Sequence, residues 1–147
     1  RADVAGLMGV RLAPMVAQAR PRQVVITDVR GHWAQPWIQS VVQAGIMDTQ
    51  ANYTFDPSGI VRRGDLARTV SRVLSLIAAL HPERAARWQS ARIEVSDVAP
   101  THLSYPAVSM AAASGVMPLE NAAFDLLRAV TGAEVADVVE RLEALAR

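Results

Sequence analysis

The stretch ITDVRGHWAQPWIQSVVQAGI (Ile26–Ile46) returns, changed but in order, as VSDVAPTHLSYPAVSMAAASGV (Val95–Val116). In both, an apolar-polar-Asp-Val segment precedes a histidine, His32 or His102, four or five residues after the aspartate. Pro36 answers to Pro106, and the stripe Ile38, Val41, Val42, Gly45, Ile46 answers to Val108, Ala111, Ala112, Gly115, Val116. Steps of three and four residues predict one buried face of a helix. The proline falls in the first turn, where its missing N–H costs nothing. The glycine falls at the far end, where a left-handed C-cap is wanted.

The match extends outward. Phe55-Asp56 answers to Phe124-Asp125, and the run from Val61 to Ala67 answers to that from Val130 to Ala136. A second helix is predicted to carry Leu66, Val70, Val73, Leu74 and Ile77, and its counterpart Val135, Val139, Leu142 and Leu145. Arg1-Ala2-Asp3-Val4-Ala5 aligns with Arg63-Gly64-Asp65-Leu66-Ala67, and Val4, Met8, Leu12 and Met15 continue the stripe. The expected organisation is the second half of a first repeat at 1–20, a full repeat at 25–80, an Arg- and Ala-rich linker at 81–92 with a short helix of its own, and a divergent repeat at 93–147. Neither helix of a unit buries its apolar face alone, so units must pack on one another. The predicted fold is all-α: tandem helix-loop-helix repeats in a pseudo-symmetric, multi-lobed bundle.

Composition narrows the function. Hydrophobic residues make up 51% and aromatics 5%, so Val, Leu, Ile and Ala must fill the core. Cysteine is absent, which removes disulfides, thiolate metal sites and cysteine nucleophiles. All fifteen basic residues are arginine; residues 1–92 are net positive and 93–147 net negative. No apolar run reaches the ~20 residues of a spanning helix, so membrane insertion is not expected. No signal peptide opens the chain, and Arg1-Ala2-Asp3 reads as a cut within a longer protein. No Gly-x-Ser-x-Gly elbow, phosphate loop or His-Glu-x-x-His is present, so no enzymatic activity is expected. The loop from Asp48 to Asp56 alternates oxygen-bearing residues, but Tyr53 and Gly59 stand where a calcium loop needs Gly and Glu. No metal or cofactor is expected.

These residues resemble the S-layer homology repeat. The middle unit carries the family's order of motifs: Asp28-Val29, His32-Trp33-Ala34, Gly45-Ile46, Phe55-Asp56-Pro57 and Arg62-Arg63-Gly64-Asp65. The last unit keeps Asp97-Val98, His102, Gly115-Val116, Phe124 and Thr131-Gly132-Ala133-Glu134, but has Gly132, Leu103 and Leu126 where the motifs want Arg, Trp and Pro. The resemblance implies a non-catalytic, extracytoplasmic module of a bacterial cell envelope or cell surface. Its implied ligand is an anionic, often pyruvylated, cell-wall polysaccharide or peptidoglycan-linked glycan, held in grooves between repeats with the motif arginine as a main contact. The implied glycan-binding set is Arg1, Arg63, Arg62, Trp33 and Asp65.

Each of these residues also has a structural reading. Arg1 and Arg63 sit at helix starts, where the dipole disfavours a cation; a bridging anion or an acid elsewhere in the chain explains them. Asp65 and Glu134 suit first turns, and Thr131 with Glu134 has capping-box spacing. Asp28 and Asp97 suit turn closure, His32 and His102 structural histidines, and Trp33 with Trp37 core packing. The charge contrast makes self-association through a head-to-tail pairing a second partner class. Nucleic acid is not expected as a partner, given the net charge of +1 and the absence of lysine.

Overall fold

The computed structural model describes all of residues 1–147. The chain is all-α, with no β-sheet; Arg62–Ala129 and Glu120–Ala123 are isolated bridges. It divides into two compact units, Arg1–Ile60 and Val61–Arg147.

Unit 1 contains α1 (Ala2–Arg11), α2 (Ala13–Gln18) and α3 (Gln35–Gln43). The stripe predicted along residues 4–15 is buried, but it is carried by two helices. Pro14 lacks the N–H that would continue the ladder, so α1 ends at Leu12 and α2 starts afresh with the proline in its first turn. α1 packs on α3, closing Val4, Met8 and Leu12 over Ile38, Val41, Ile46 and Phe55, all buried. Gly45 sits at φ +76° and ends α3. There the Ile46 amide donates to Val41 O at 2.9 Å and the Gly45 amide to Val42 O at 3.0 Å, a Schellman pair.

Unit 2 contains α4 (Arg63–Leu80), a 3-10 helix (Pro82–Arg87), α5 (Tyr105–Ala113) and α6 (Gly132–Ala146). α4 plays the part in unit 2 that α1 plays in unit 1, since α1 packs chiefly on α3 and α4 chiefly on α5, the proline-started first helix of each repeat. Leu66, Val70, Val73, Leu74 and Ile77 are buried, as the periodicity predicts, together with Val108, Phe124, Val139 and Leu142.

Two features differ from a plain reading of the repeat. The segment at 81–92 is more than a solvated tether: its 3-10 helix packs on α4, and Trp88 is 0% exposed. Burying such a ring stabilises by roughly 2–3 kcal/mol, offset in part because its Nε1–H is buried with no hydrogen-bond partner. The compact units are also out of phase with the sequence repeat, because each joins the second helix of one repeat to the first half of the next. Counted by unit, the charge contrast disappears: residues 1–60 hold five arginines and four acids, and residues 61–147 hold ten of each. The Arg-rich α4 packs on the acidic α6 within unit 2.

Candidate functional site

The geometry shared by both units starts at an aspartate. Asp28 Oδ1 and Oδ2 accept from the amides of Phe55 (2.7 Å) and Asp56 (2.8 Å). Asp97 accepts in the same way from Phe124 and Asp125, both at 2.8 Å. Two successive amides converge on one carboxylate because the loop turns through left-handed residues: Tyr53 (φ 64°) and Asp56 (φ 56°) in one unit, Ala122 (φ 62°) and Asp125 (φ 61°) in the other. Aspartate tolerates that conformation; tyrosine and alanine carry a steric cost. The Phe124 amide, then the Asp125 amide and the nearby Arg63 guanidinium, hold the Asp97 carboxyl below its ordinary range despite partial desolvation. The histidines set the next turn: His32 Nδ1 accepts from the Ala34 amide at 3.1 Å, and His102 Nδ1 from the Ser104 amide at 3.0 Å.

The motif arginines reach into these loops. Arg1 Nε donates to Phe55 O at 2.7 Å, and its guanidinium lies 4.5 Å from the Phe55 ring centroid. Arg63 Nε donates to Phe124 O at 2.7 Å, and its guanidinium lies 4.6 Å from the Phe124 ring. Main-chain bonds repeat as well. Ala2 donates to Pro57 O and Gly64 to Leu126 O, both at 2.9 Å; the Arg1 nitrogen donates to Gly59 O at 2.8 Å and the Arg63 amide to Arg128 O at 2.9 Å. Arg63 is 4% exposed, and its Nη1 pairs with Glu134 Oε1, an acid 19% exposed that Arg128 also contacts at 3.1 Å. The acid that explains a cation at the start of α4 therefore comes from α6. Thr131 Oγ1 caps α6 by accepting from the Glu134 amide at 3.1 Å, while the Glu134 carboxylate goes to arginine.

Three clefts lie beside this scaffold. One in unit 2, about 410 Å³, is lined by Arg63, Glu134, Arg128, Glu120 and Arg141 among others, and its charges are largely paired. A second in unit 2, about 430 Å³, gathers Arg62, Asp65, Arg68, Asp97, His102 and Asp125. Its acids are engaged: Asp65 accepts from the Arg62 amide at 3.1 Å, Asp97 from the loop, and Asp125 lies 3.8 Å from Arg128. Arg62 Nη1 donates to Leu127 O at 2.6 Å. Arg68 is exposed, and its guanidinium has no hydrogen-bond or ion-pair partner. The third cleft, in unit 1, is about 340 Å³ and almost wholly apolar, with Trp33 and Trp37 on one side and Gly6, Leu7 and Val10 of α1 on the other.

The structure thus distributes the expected set. Arg62 and Asp65 share a cleft, and Arg68, which no motif marks, joins them there. Arg63 lies in the neighbouring cleft, Trp33 in the apolar one, and Arg1 under its loop. Arg68 stands one helical turn past the motif, and its counterparts in the other repeats, Gly6 and Asp137, carry no arginine to mark it.

A family comparison finds the S-layer homology domain at residues 25–67, the span holding Asp28, His32, Trp33, Phe55, Arg62, Arg63 and Asp65. That segment, under a third of the chain, is similar to the S-layer homology domain. No curated protein and no solved structure matches the chain. S-layer homology domains are non-catalytic modules of cell-envelope proteins that bind cell-wall glycans and anchor proteins to the wall. No helix is long and apolar enough to cross a membrane.

Proposed function

We propose that this chain holds a larger envelope protein against the wall by binding an anionic polysaccharide, with pyruvyl carboxylates as the charged groups it takes. The observation that carries this reading is the unpartnered Arg68 guanidinium beside Arg62, in an open cleft whose carboxylates already have partners. A guanidinium fork suits a carboxylate, and such charge-assisted bonds contribute about 1.5–3 kcal/mol. In this reading Arg62, Arg68 and Asp65 form the cleft of unit 2, Trp33 offers an aromatic wall in the separate cleft of unit 1, and Arg1 and Arg63 hold the loops that shape the grooves. The repeats at 1–20, 25–80 and 93–147 form the lobes that present them.

Co-sedimentation with purified sacculi tests it. The chain should bind intact walls and lose binding once the acidic polysaccharide is removed. Combined Arg62→Ala and Arg68→Ala substitutions should weaken binding at least tenfold. Equal binding to stripped and intact walls would sink the proposal.

A further inference from the structure

The cleft of unit 1 shares two register positions with the Arg68 cleft of unit 2, Asp3 with Asp65 and Gly6 with Arg68, yet its chemistry is different. Along the second-helix register, Gly6 stands where unit 2 has Arg68, and Val10 where it has Arg72. Along the histidine register, Trp33 stands where unit 2 has Leu103, and Trp37 where it has Ala107. Every one of these differences removes charge from unit 1 or adds aromatic surface.

The glycines let the rings come close. A Cβ on Gly6 would lie 3.5 Å from the Trp33 ring, in ordinary contact, whereas a Cβ on Gly9 would lie 2.9 Å from Trp37 Cβ and Cδ1. α1 therefore seats the tryptophan pair against bare backbone, and Trp33 is nevertheless 60% exposed. The two rings lie 6.2 Å apart with planes inclined at 54°, so their faces form an open angle. An exposed indole face takes the C–H face of a sugar ring by dispersion and burial, with no charge required. At about 340 Å³ the cleft is at the small end of ligand sites, of a size for sugar rings. Its lining holds one acid and one base, Asp3 and Arg11, and is otherwise uncharged.

We infer that unit 1 carries a subsite for the uncharged face of a pyranose ring, separate in chemistry from the carboxylate site of unit 2. This inference rests on the wall-glycan reading for its ligand. The chain would then recognise two features of one polymer, its sugar faces and its acidic substituents, at non-equivalent places.

Amide and side-chain NMR of the whole labelled chain separates the two. The probes are uncharged di-N-acetylchitobiose and a methyl hexopyranoside bearing a 4,6-linked pyruvate ketal. The neutral disaccharide should move the Trp33 and Trp37 indole signals and the Gly6 and Gly9 amides, leaving Trp88 still. The ketal should move the Arg62 and Arg68 Nε–H signals. Trp33→Ala should weaken the neutral probe about tenfold, with Trp33→Phe retaining most binding and Trp88 fluorescence reporting an intact unit 2. No shift at the tryptophans, or neutral-probe shifts centred on Arg68, overturns the subsite. Self-association that Trp33→Ala abolishes would assign the cleft to a second copy and overturn it too. Loss of sacculus binding with the tryptophan response intact would instead count against the anchoring reading alone.

Discussion

The two units build the same frame and dress it differently. Within each, an aspartate takes two loop amides, a histidine closes the following turn, and an arginine from the preceding helix start lies over a buried phenylalanine. Positions that make these bonds keep their residue type across the two copies. Positions that line the clefts do not: Gly6 stands against Arg68, and Trp33 lines a cleft while its counterpart Leu103 is 93% exposed. Divergence thus separates groups that hold the loops from groups free to meet a ligand.

The sharpest way to break this comparison is Arg63→Ala. It strands Glu134 with Arg128 alone and leaves Phe124 O without its donor; breaking such a buried pair should cost unit 2 about 3 kcal/mol. Urea unfolding followed at Trp88 would show it, and a change under 1 kcal/mol would mean the frame does not depend on the clamp. Next come Asp28→Ala and Asp97→Ala. Each should cost about 2 kcal/mol by orphaning two amides. Hydrogen exchange should rise at Phe55 and Asp56 in one variant and at Phe124 and Asp125 in the other; unequal costs would break the equivalence.

Gly9→Ala sharpens the contrast. Its new methyl meets Trp37, so a loss of about 1–2 kcal/mol is expected, while Gly132→Ala, with open space around it, should leave stability unchanged or raise it slightly. Thermal melts of the two variants should move in different directions. Ala122→Gly should gain up to about 1 kcal/mol by relieving a left-handed alanine. The smallest effect is acidic. Because the Asp97 carboxyl is held low, its contribution to stability is present above the unfolded pKa and fades as pH falls through the folded one. The Phe124 and Asp125 amide signals should accordingly titrate below the ~3.9 of a free aspartate.

Much of the frame was legible in the chain. Helix stripes follow from apolar spacing, and Pro36 and Gly45 act locally, at the two ends of one helix; Asp28 and Asp97, expected to close turns, instead reach loop amides 27 and 28 residues away. What escaped was long-range. Glu134 answers Arg63 across 71 residues, a pairing that no spacing rule encodes. Trp88 is buried without any periodic neighbour to announce it. The opposite charges of the chain's two parts also meet within one unit, where α4 and α6 bring Arg63 and Glu134 together. Arg68 matters for what it lacks, and a missing partner leaves no mark in a sequence.

The half-step between repeat and compact unit has a consequence for how the chain should be cut. The repeat at 25–80 gives its first half to one compact unit and its second helix to the other, whereas the repeat at 93–147 lies within a single unit, so the middle repeat alone serves two folded bodies. An expression boundary drawn between repeats, near residue 24 or 81, would leave exposed halves, whereas one at 60/61 respects the folded bodies.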